Sequence, residues 1–158
     1  MNTFGRRRFL ALTGAGVVAV AGSTTLIVRQ LRANEPGNTL NFQAITRLPT
    51  GPLPGYASYV IGGQVHLNNN TGSITKTVFA GPPETRTSIA LLTRVVRVTS
   101  IQKQGAVWHL TGVVDTQTQL QVGEEATFAI QLDTSRNLAQ STFFGSPIQL
   151  DLQKFSTS

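Results

Sequence analysis

From Ser58 to Phe155 the chain alternates apolar and polar residues with a period of two, and no segment carries a convincing 3.6-residue apolar repeat. Such a chain buries one face of successive strands. Tyr59, Ile61, Gly63, Val65 and Leu67 share one face of the first long strand, whereas Ser58, Gly62, Gln64 and His66 fall on the other. Asn68-Asn69-Asn70-Thr71-Gly72 then forms a turn, because Asn and Gly tolerate positive φ. The β-branched run 74–80 returns as the second arm of a hairpin, which Gly81-Pro82-Pro83 ends. Residues 88–102 make the longest strand, and Lys103-Gln104-Gly105 turns the chain into 106–114, where Trp108, Leu110 and Val114 share a face. Phe128, Ile130 and Leu132 point inward from 127–133, and Ile148, Leu150 and Leu152 do so from 148–155.

With a short first strand at 41–45, these segments make about seven strands at turn spacings of roughly 8–12 residues. The expected fold is all-β: an antiparallel β-sandwich of immunoglobulin-like type or a small β-barrel, preceded by an N-terminal signal or anchor helix. The pattern Leu120-x-Val122-Gly123-Glu124-Glu125-x-x-Phe128-x-Ile130-x-Leu132 resembles the lead into late strands of exported immunoglobulin-like sandwiches. There are no cysteines, so no disulfide or thiolate chemistry supports the fold. A core of ordinary size must hold it together.

The N-terminus carries the sharpest motif. Gly5-Arg6-Arg7-Arg8-Phe9-Leu10 resembles the twin-arginine (Tat) export consensus through Arg6, Arg7, Phe9 and Leu10. It departs from that consensus at Gly5 and Ala11. A moderately apolar run, 11–21, follows and ends in Ala19-Val20-Ala21, a small-residue cleavage pattern. The resemblance implies export of a folded protein to the periplasm, the thylakoid lumen or the exterior. Residues 9–28 carry no charge and are long enough to span a bilayer, so an uncleaved anchor is the alternative, and the only expected membrane contact. The expected organisation is a signal at 1–21 (an anchor to 28 if uncleaved), a Pro/Gly-rich linker and lead-in at 22–57, and a β domain at 58–158.

The charge distribution argues against nucleic acid. Of 13 basic residues, five precede residue 33, leaving the body almost neutral against 7 acidic residues. A nucleic-acid binder needs a clustered basic face. Reactive groups are equally sparse. His66 and His109 fall on polar strand faces without metal-ligand spacing, and no G-x-S-x-G elbow occurs. Glu124 and Glu125 read as solvated turn charges. No catalytic residue, metal ligand or cofactor is assigned. Candidate ligand-binding residues are Arg94 and Arg97, three apart on one strand, and Trp108 with His109. An inward arginine requires a carboxylate or an anionic ligand, and a core role competes with a stacking role for Trp108.

Three functions compete on this reading. The first is a non-catalytic binding or accessory module docking on an envelope protein. The second is a barrel around a small apolar ligand. The third is a barrel isomerase or cyclase, for which Arg94, Arg97, His109 and Asp115 must converge on a cavity. An interior void above about 300 Å³ separates the last two from the first.

Overall fold

The computed structural model describes residues 38–48, 57–115 and 119–158. The sequence readings on Arg6, Arg7, Phe9, Leu10, Ala19 and Ala21, on the signal or anchor helix, and on most of the linker lie outside these residues. Eight strands follow in order: β1 (Thr39–Arg47), β2 (Ala57–His66), β3 (Thr71–Ala80), β4 (Ala90–Gln104), β5 (Val107–Val114), β6 (Thr127–Asp133), β7 (Leu138–Phe143) and β8 (Ser146–Thr157). Each pairs antiparallel with its sequence neighbour, and β1 pairs with β8. The sheet is therefore a closed up-and-down barrel, which corrects the immunoglobulin-like sandwich alternative. Closure removes the unpaired edges that a sandwich leaves.

Short turns enforce the meander. The β4–β5 loop is Gly105-Ala106, with φ of 61° at Gly105, as the first position of a II′ hairpin turn requires. In the β7–β8 loop, Phe144 and Gly145 have φ of 49° and 77°, the signature of a I′ turn. Asn usually occupies the first of those positions. Phe144 holds it at a backbone cost and stacks edge-on against Phe143, 4.8 Å between centroids.

The inward row of each strand fills the interior. Leu40, Ile61, Val65, Ile74, Val96, Leu110, Ile130, Leu132 and Leu150 are essentially inaccessible to solvent. At one end, here called the base, the first and last strands close on each other: Thr39 and Ser158 exchange two backbone hydrogen bonds of 2.9 Å. Trp108 and Phe155 pack there, 6.1 Å between centroids. The opposite end, the mouth, is where β1, β3, β5 and β7 end and β2, β4, β6 and β8 begin. Bulges re-phase β4 between Val98 and Ser100 and the β1–β8 pair between Gln43 and Ala44, so the apolar row stays inside. On β2, Ser58 and Val60 face away from Tyr59 and Ile61, yet both are buried.

Candidate functional site at the barrel mouth

Two cations are built into the wall of the mouth. Ile74, Lys76 and Val78 form the inward row of β3, and Leu92, Arg94, Val96 and Val98 that of β4. Register places Lys76 directly opposite Arg94. Like charges facing each other across a strand pair destabilise the sheet unless an anion lies between them. Glu124, from the β5–β6 loop, provides it. Arg94 Nε donates to Glu124 Oε1 at 3.0 Å and Nη2 to Oε2 at 2.9 Å, a bidentate fork. Lys76 Nζ stands 3.6 Å from Oε1. Arg94 also donates to the Gln119 carbonyl at 2.8 Å and the Thr93 carbonyl at 3.2 Å.

This network is dry. The side chains of Glu124, Arg94 and Lys76 are 3%, 9% and 12% exposed. A turn aims the carboxylate: Glu124 N–H donates to the Gln121 carbonyl at 2.9 Å, and Gly123 adopts φ of 82° between them. The Gln121 N–H in turn donates to Glu124 Oε2 at 3.1 Å. Burial alone would raise the Glu124 pKa, but the Arg94 and Gln121 hydrogen bonds and the two cations outweigh it and hold the carboxyl below its usual range. Burial, aided by Arg94, pulls the Lys76 ammonium below its ordinary value against the opposing pull of Glu124.

Around the charges the mouth is apolar and aromatic. Tyr59, Val78, Leu92, Phe128, Phe143 and Phe144 line it. Tyr59 packs on Phe143 with centroids 4.9 Å apart, and its phenol is pushed far above the usual value by burial and by Glu124 and Glu125. Glu125 is exposed and accepts a 2.6 Å hydrogen bond from Thr142. The open space left among these residues is about 10 Å³, room for roughly one water. A wider polar groove of about 540 Å³ lies open to solvent on the outside, between β1, β8 and the β3–β4 loop, and mixes Glu84, Arg86, Asp151 and Lys154.

The residues singled out from sequence disperse. Arg94 turns inward, as its phase allowed. Arg97 faces solvent, 71% exposed, and pairs at 3.5 Å with exposed Asp115. Trp108 belongs to the core at the base, with Lys103 Nζ 4.8 Å from its ring centroid, and forms no platform at the mouth. His109 lies on the outer face beside Gln102 and Gln131. The four residues required by the cyclase reading therefore do not converge. Among the described residues no three His, Cys, Asp or Glu side chains gather as a metal site.

Sequence reasoning missed Lys76 and misread Glu124. The phase of Ile74 and Val78 points Lys76 inward, and two inward cations call for a carboxylate; those signals were present. Glu124 is no solvated turn charge, because its turn folds it back over Arg94. No family model matches this chain, and neither does any curated protein or solved structure.

Proposed function

We propose that the barrel is a non-catalytic binding module, exported by its twin-arginine signal, that docks on a protein of the cell envelope through the outer wall of β4. One observation carries this reading. Leu91 and Val95, on the outward row of β4, and Ile89 just before the strand are 60%, 42% and 60% exposed. Thr93 lies between Leu91 and Val95, and Thr75 pairs beside Val95 on β3, so this part of the wall presents aliphatic and hydroxyl groups. Depletion of charge is what distinguishes the centre of a protein interface, and clustered exposed aliphatics mark docking surfaces.

A photo-crosslinking residue at position 91 of the full chain, expressed in its host, tests the wall. Position 140, outward on β7, is the control. The expected result is one heterologous protein adduct from position 91, none from 140, and loss of the adduct in an Ile89→Asp, Val95→Asp variant. Equal labelling from both positions, or an adduct only between two copies of this chain, overturns the reading.

A second reading, as a ligand barrel, is favoured by the paired cations at the mouth. An enclosed apolar molecule has little to support it, since ligand cavities run to roughly 300 Å³ or more and the mouth leaves about 10 Å³. The charges favour a different ligand chemistry.

A further inference from the structure

We infer that the Lys76–Arg94 pair is a carboxylate-binding site which Glu124 fills in the closed barrel, and that a small organic acid with a short apolar tail exchanges with it. The inference rests on the ligand-barrel reading and is independent of docking at the β4 wall.

The asymmetry of the cluster is the first argument. Both cations stand on paired strands inside a closed sheet, at directly opposed register positions. The anion comes from a loop. A single buried carboxylate faces two cations, which leaves the cluster with one positive charge in excess. Glu125 stands in water at the rim and is bound to Thr142 instead. Lys76 is the under-satisfied member: an ammonium carries three donors, and its ion-pair contact with Glu124 is a long 3.6 Å. The cations would therefore hold an anion of the same shape with one further contact to spare.

The lining is the second argument. A carboxylate seated on the Arg94 fork has Tyr59 beside it, and Val78, Leu92, Phe128 and Phe143 continue the surface. Polar groups that orient one end of a ligand against an apolar wall are the usual composition of a small-molecule site. The present free space admits no tail. Withdrawal of Glu124 would vacate its own side-chain volume and release Gln121 from its carboxylate contact. The exchange must replace the contacts of Glu124 and Gln119 with Arg94, while Leu120 stays packed on the core and only the tip, at Val122, is fully exposed.

Hexanoate is the probe, with hexanamide as its neutral counterpart, titrated calorimetrically into the full-length protein and a Glu124→Ala variant. Wild type should bind hexanoate and not hexanamide. Glu124→Ala, freed of the internal competitor, should bind hexanoate at least about tenfold more tightly and regain part of its lost thermal stability on adding it. Arg94→Met in the Glu124→Ala background should abolish the binding. Should Glu124→Ala fail to fold, Glu124→Gln keeps the bulk and removes the charge, and its hexanoate affinity must still exceed that of wild type. Equal responses to hexanoate and hexanamide, or rescue of the variant with no binding by wild type, would overturn the inference and leave Glu124 a structural staple. The mass of the natively recovered protein separates the two levels. A stoichiometric neutral molecule with no hexanoate binding refutes the acid but keeps the ligand barrel; neither an adduct nor binding refutes both.

Discussion

Lys76 and Arg94 face each other inside a barrel whose other inward residues are almost all hydrocarbon, and Glu124 decides whether that is tolerable. Removing one member of a buried, hydrogen-bonded ion cluster costs about 3–5 kcal/mol, because the charges left behind are unpaired. Glu124→Ala should lose a few kcal/mol in urea unfolding on these grounds. The pH dependence has a definite sign. A carboxyl held below its ordinary value, near 4.5, contributes stability above that pH and loses it as pH falls through the depressed folded value. Lys76 slopes the same way in a higher window: its lowered value means that the unfolded chain binds more protons up to about 10.5, so stability rises with pH there as well. Tyr59, raised in the fold, reverses the trend as the unfolded phenol ionises above about 10. Melting curves of wild type and Glu124→Gln between pH 3 and 7 (roughly the span over which carboxylates titrate) check the Glu124 contribution. The acid limb should flatten in the variant; an unchanged slope would remove Glu124 as its source. These three residues were only partly legible in the sequence. Phase gives the direction of Lys76 and Arg94, but the carboxylate that answers them lies 30 residues beyond Arg94, and only the closed fold brings it there.

The strands themselves were legible wherever large apolar residues marked the inward row. β7 was not. Its inward positions are Ala139, Ser141 and Phe143, and the small residues at the first two give no contrast with the polar ones between them. Ser141 nevertheless sits buried, its hydroxyl donating to the Ala129 carbonyl at 2.7 Å. Period-two alternation does not decide between sandwich and barrel, and closure of the barrel depends on β7 joining β6 to β8. The bulges were hidden for another reason: they leave the apolar count intact and only shift its phase. Beside the β4 bulge, Gly112 pairs with Val98. A Cβ there would come within 2.5 Å of the Arg97 carbonyl oxygen and 2.6 Å of Val96 Cγ1. Gly112→Ala therefore forces backbone apart and should cost about 1–3 kcal/mol. Gly105→Ala meets no atom but holds φ of 61°, so its smaller penalty arises from the turn alone. Chemical denaturation of the two variants should rank them in that order; the reverse ranking would mean that the β4–β5 pair relaxes around position 112.

Barrel closure ties the first strand to the last. β1 pairs with β8 over residues more than 100 positions apart, and the base seals only when Ser158 meets Thr39. No partial chain contains this contact, and loop closure of that length is slow to form. The barrel is therefore complete only once β8 has paired with β1. Under the proposed export by the twin-arginine signal, two substitutions with nothing local in common should have one outcome. Arg6→Lys with Arg7→Lys removes the motif and leaves the barrel untouched. Leu132→Asp keeps the motif and puts a carboxylate at a position with no solvent access, where an unpaired charge cannot be accommodated. Both should hold the protein inside the cytoplasm, while the exposed Leu91→Lys, expected to change stability by less than about 0.5 kcal/mol, should leave export at the wild-type level. Fractionation of the expressing cells distinguishes the cases. Export of the Leu132→Asp chain at full yield would show that a folded barrel is not required for passage, and undiminished export of the Arg6→Lys, Arg7→Lys chain would remove the twin-arginine signal itself.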